Sequence, residues 1–119
     1  MATNPSKVPA TRLKLDVHTV EDATVVRLSG NLTRDDVATF KEKVKALIPH
    51  TKRLVLDLSE VGYMDSSGLG GVVSVYVTAK RAGCELQLIN LSKRVRDLLG
   101  LTHMLSVFEI TGQYFIKMG

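Results

Sequence analysis

Leu54-Val55-Leu56-Asp57-Leu58 is apolar at four of its five positions and does not alternate. Such a run reads as a strand buried on both faces, as in a parallel sheet. After five further residues comes Met64-Asp65-Ser66-Ser67-Gly68-Leu69-Gly70-Gly71, which opens a helix from Ser66 to about Ala82, stopped at Gly83. The helical spacing of Leu69, Val72, Val73, Tyr76 and Ala79 predicts the stripe that faces the core. A buried strand followed by a helix implies a parallel crossover, so the rest of the chain should alternate strand and helix.

Downstream, Glu85 to Asn90 reads as the next strand. Ser92 is placed to cap a third helix carrying Val95, Leu98 and Leu99, with Gly100 suited to a left-handed C-cap. Val107 to Ile110 reads as a last strand. Upstream, Thr33 opens a helix with Asp36 three positions on in an approximate capping box. Its apolar face is Val37, Phe40, Val44, Leu47 and Ile48, and Pro49 ends it. Leu13, Leu15 and Val17 alternate with Lys14, Asp16 and His18, the mark of a half-buried strand at or near an edge. Glu21-Asp22 turns that strand into Val25-Val26-Arg27-Leu28, which ends near Gly30. Residues 1–11, with Pro5 and Pro9 among small polar residues, read as a flexible lead-in. The order β-β-α-β-α-β-α-β over 12–119 predicts one α/β domain. Its sheet should be mixed and mostly parallel, with four to five strands and helices packed on at least one face.

Composition narrows the function classes. A chain of 119 residues, 45% hydrophobic and 24% charged, has the make-up of one globular domain rather than of a disordered segment. Cys84 is the single cysteine, which excludes an internal disulfide and a multi-cysteine zinc site and fits a reducing compartment. The longest uncharged stretch, Ser66 to Ala79, is 14 residues, short of the roughly 20 that span a bilayer. The early residues Thr3, Asn4, Ser6 and Lys7 are polar, so the expectation is a cytoplasmic protein without membrane attachment. A net charge of +4 raises nucleic acid as a partner only weakly, and no direct nucleic-acid binding is expected.

Enzymatic motifs fail one by one. His18, His50 and His103 form no HExxH pair, and Cys84 has no CxxC neighbour. A nucleophile elbow lacks its first glycine at Met64, and a phosphate-binding loop lacks the lysine after Gly70-Gly71. A GxGxxG reading places Val73 at the third glycine. No cofactor is expected. What remains is a helix start with three glycines in four positions, each weakening the helix by roughly 0.5–1 kcal/mol relative to Ala. Small residues that let the helix pack tightly would account for it; so would a second molecule approaching the backbone. The outward side supports the latter, because Gly70, Gly71, Ser74 and Thr78, flanked by Val75 and Val77, carry no charge where a solvated face normally does. Covering loops or a second copy of the chain, as a homodimer, would equally suit that face.

These residues resemble the STAS domain, named for sulfate transporters and anti-sigma factor antagonists, and within it the stand-alone bacterial anti-anti-sigma proteins. The resemblance is carried by Leu54 to Leu58 with Met64-Asp65-Ser66-Ser67-Gly68-Leu69-Gly70. It continues through Leu28-Ser29-Gly30-Asn31-Leu32, Gly83-Cys84-Glu85-Leu86 and Val95-Arg96-Asp97-Leu98-Leu99-Gly100-Leu101, spanning Leu13 to Ile110. Thr33 stands where such antagonists often carry an acid. The resemblance implies a substrate of a kinase rather than an enzyme. The unphosphorylated form would bind an anti-sigma factor that is also a GHKL-type serine kinase, freeing a sigma factor for a stress response. Phosphorylation of the serine after the motif aspartate, here Ser66, would release it, and a PPM-type phosphatase would reset it. Asp65, Ser66, Ser67, Gly68, Gly70, Gly71, Ser74, Val75, Val77 and Thr78 are the expected partner-binding residues. A stressosome-type scaffold or a lipid-transport-complex subunit keeps the same fold. A nucleotide-binding domain using the glycine-rich start is the reading from another class.

Overall fold

The computed structural model describes residues 12–93 and 95–97. Strands β1 (Lys14–Val20) and β2 (Ala23–Leu32) form the expected hairpin, with Glu21 turning the chain at φ 55°. Helix α1 (Val37–Leu47) follows, then a short 3-10 turn (Ile48–His50) that contains Pro49. Strand β3 (Arg53–Met64), helix α2 (Ser66–Arg81) and strand β4 (Glu85–Ile89) complete the described core. The sheet order is β1-β2-β3-β4, antiparallel at β1/β2 and parallel at β2/β3 and β3/β4. Among the described residues β1 is thus an edge and Leu54 to Leu58 lie in an interior strand, as the periodicity predicts.

Val26, Leu28, Leu54, Leu56, Leu58, Leu86 and Leu88 share one face and join Phe40, Val44, Leu69, Val72 and Val75 in a single cluster. Burial of each large side chain contributes roughly 1.5–3 kcal/mol. Val55 and Asp57 point to the other face by strand alternation and are buried as well. The continuous apolar run is therefore buried on both sides.

Two elements differ from expectation. Strand β3 does not stop near Leu58 but runs to Met64. The pairing with β2 slips by one residue between Arg27↔Asp57 and Ser29↔Glu60, and again between Gly30↔Val61 and Asn31↔Tyr63. Two irregularities of this kind extend the ladder while breaking the simple alternation that marks a strand in sequence. Helix α1 starts at Val37 and not at Thr33. The Thr33 carbonyl instead accepts the amides of Asp36 at 2.9 Å and Val37 at 3.0 Å, so a tight turn precedes the helix. Asp36 occupies the N-cap position without a side-chain capping bond, and the expected capping box is not formed.

Beyond β4, Ser92 Oγ accepts the Val95 amide at 3.3 Å, the capping bond expected there. Leu98, Leu99, Gly100, His103, the last strand expected at Val107 to Ile110 and the lead-in at 1–11 lie outside the described residues.

Candidate partner-binding site at the start of the second helix

Three side chains compete on paper for the cap of α2, and Asp65 takes it. Its backbone is extended (φ −100°, ψ −175°), and its Oδ1 accepts the Gly68 amide at 2.8 Å. Its Oδ2 accepts the Arg34 amide at 3.1 Å, tying the β2–α1 loop to the helix start. The Asp65 amide in turn donates to the Leu32 carbonyl at 3.4 Å. With Asp65 committed, Ser66 is left exposed as the first helical residue, and its hydroxyl makes no hydrogen bond to the described residues. Ser67 is half-buried. A shallow cleft beside them is lined by Thr33, Arg34, Asp35, Asp65, Ser66 and Ser67. Arg34 and Asp35 were missed by sequence reasoning. They lie some thirty positions from Ser66, and the parallel pairing of β2 with β3 brings them alongside.

The three glycines have different tasks. A Cβ on Gly68 would collide with the Leu32 carbonyl, so only glycine lets α2 start this close to the end of β2. A Cβ on Gly71 would run into Val37 Cγ2 of α1. Gly70 has open space above it. Close internal packing therefore explains two of the three, and only Gly70 belongs to the outer surface.

The outward face of α2 is accordingly rotated from the expected one. Val75 is fully buried and Gly71 is buried, so neither is available to a partner. Ser74 is half-buried, and Lys45 Nζ of α1 donates to its Oγ at 2.8 Å. Thr78 is half-buried, whereas Val77 is 41% exposed. Val73, expected in the core stripe, packs only against its margin. The physical reason is that α2 is covered on two flanks, by the sheet and by α1, so its buried arc is wider than the sheet-facing stripe alone. The accessible strip is Ser66, Gly70, Val73 and Val77, at spacings of four, three and four residues, which places them on one helical line.

The main electrostatic feature lies away from this strip. Burial pushes the Asp57 carboxyl up. Hydrogen bonding from Ser59 (the amide at 3.0 Å) and Asn90 Nδ2 (3.2 Å), helped by Arg27, more than offsets that and holds it below the usual range. Asp57 thereby fastens the first irregularity of β3. Burial raises the Cys84 thiol. Among the described residues no cluster of His, Cys, Asp and Glu could hold a metal ion, and no helix is long and apolar enough to cross a membrane.

Comparison with known proteins agrees with this architecture. The family described as "Mlab, STAS domain" matches residues 15–110. The anti-sigma-B factor antagonist of Bacillus subtilis is 30% identical over 101 residues, covering 85% of this chain and 93% of that protein. The crystal structure of an anti-sigma factor antagonist from Mycobacterium paratuberculosis superposes with a TM-score of 0.74 at 19% identity, covering 82% and 83% of the two chains. The phosphorylated form of the Bacillus cell fate determinant SpoIIAA does so at 0.65 and 20% identity, covering 88% and 89%. The strand–helix unit at Leu54 to Gly71, the mixed sheet and the match over most of both chains lead to one conclusion: this chain belongs to the STAS-domain family.

Proposed function

We propose that this chain is an anti-sigma factor antagonist and that Ser66 is its phosphorylation switch. The observation that carries the reading is the division of labour at the helix start. Asp65 supplies the cap, so the Ser66 hydroxyl stands exposed and unbonded at the head of an uncharged strip. Unmodified, that strip docks on an anti-sigma factor that is also a serine kinase of the GHKL type, and the sigma factor is freed. A phosphate on Ser66 adds about −1.5 to −2 charges at neutral pH. The N-terminus of α2 tolerates that charge, so the fold persists. In a close-packed interface the same charge must be desolvated, and a penalty of about 3 kcal/mol weakens binding more than a hundredfold. A PPM-type phosphatase restores the docking form. All of this is non-enzymatic on the side of this chain and takes place in the cytoplasm.

Phosphopeptide mapping after incubation with the cognate kinase and ATP tests the reading. Phosphate is expected on Ser66, and Ser66→Ala should bind the kinase without being released by ATP. Phosphate on Ser67 would move the switch by one residue. Stable kinase binding with neither serine modified would make the chain a constitutive scaffold.

A further inference from the structure

We propose that the free edge of β1 is a self-association surface, on which a second copy of this chain adds its own β1 antiparallel about a two-fold axis at Leu15. Among the described residues β1 pairs only with β2, and its other edge takes no strand from them. An open edge is a template for another strand, and natural edges are commonly guarded by a lysine. Here Lys14 is such a guard against an uncharged strand, but not against a copy of itself.

The sequence around Leu15 is self-complementary. With Leu15 opposite Leu15, Lys14 stands opposite Asp16 and Asp16 opposite Lys14, while Leu13 meets Val17 on the other side of the pleat. Both charges are exposed, and neither has an ion-pair or hydrogen-bond partner among the described residues. Val17 is 46% exposed, and Leu13 and Leu15 only partly buried, so the apolar side also gains cover. Neighbouring registers are worse: an axis at Lys14 or at Asp16 opposes like charges directly. An axis at Val17 leaves Lys14 facing Val20.

The charge pattern within the sheet points the same way. Asp57, Arg27 and Asp16 stand in one cross-strand row, through the pairs Arg27↔Asp57 and Asp16↔Arg27. The row alternates in sign and ends at the edge on an acid, Asp16, that has no ion-pair partner among the described residues. Lys14 of the second copy is the next position of that row. Pairing of one short strand buries less than the roughly 1,000 Å² of a stable interface, so the dimer is a weak one, populated at high protein concentration and loosened by salt.

Sedimentation equilibrium of the full chain at low and high salt tests this. The wild type should dimerise with concentration, and less so at high salt. Asp16→Lys and Lys14→Asp should each remain monomeric, and an equimolar mixture of the two should dimerise, because the all-basic edge now meets an all-acidic one. A monomeric wild type at every concentration, dimers of either single variant, or a mixture that stays monomeric would each overturn the proposal. Amide hydrogen exchange of the wild type gives a reading independent of any substitution. The β1 amides should gain protection as concentration rises, and unchanged exchange there would refute the strand pairing.

Discussion

Asp65 Oδ2 accepts the Arg34 amide at 3.1 Å while Oδ1 accepts the Gly68 amide at 2.8 Å, so one carboxylate both caps α2 and anchors the loop that enters α1. Loss of an N-cap side chain costs about 0.5–2 kcal/mol. Asp65→Ala should lie toward the upper end of that range in urea denaturation, since two amides lose their acceptor. Asp65→Asn keeps one carbonyl oxygen and should lose less. A negligible loss in Asp65→Asn beside a full loss in Asp65→Ala would mean that the Arg34 contact adds nothing.

Val75 and Val77 should separate folding from binding. Val75 is fully buried between α2 and its neighbours, and truncation to Ala should destabilise by about 2 kcal/mol. Val77→Lys should leave the melting temperature nearly unchanged and weaken capture by the kinase, measured by titration calorimetry. Unchanged affinity of a folded Val77→Lys would remove the lower end of the docking strip.

The neighbouring glycines should respond in opposite ways. At Gly71 a methyl group meets Val37 Cγ2 and Phe40, so Gly71→Ala should cost about 1–3 kcal/mol through overpacking against α1. Gly70 has free space, so Gly70→Ala should stabilise α2 by about 0.5–1 kcal/mol. Thermal or urea unfolding of the two variants gives both signs in one experiment.

Asp57 should leave a signature in acid. Its folded-state pKa is held below the unfolded value, so the folded state binds fewer protons there. Its contribution is then fully present above the unfolded value, near pH 4, and fades as pH falls through the folded pKa. Stability of the wild type should fall over that interval, and Asp57→Asn should flatten this part of the profile. An unchanged slope in the variant would assign the acid sensitivity to other carboxyls.

The hairpin, the interior strand at Leu54 to Leu58, the helix beginning at Ser66 and the cap at Ser92 were all legible in sequence. Each rests on local spacing: period two for the edge strand, an unbroken apolar run for the interior one, and a short polar side chain at a helix start. Residue type alone leaves Asp65, Ser66 and Ser67 all able to cap α2. The choice among them was tertiary, because only the folded chain brings the Arg34 amide to the second Asp65 oxygen. The same holds for the extension of β3 to Met64, where two slips in pairing with β2 erase the alternation that sequence reading depends on. It holds for the exposed face of α2 as well. Helical periodicity reports a stripe for one buried side, but α1 covers a second, which draws Gly71 and Val75 inward and turns Val73 toward the rim. Where a residue met one neighbouring layer, its own segment was enough to place it; where two layers met it, packing between distant segments decided its side.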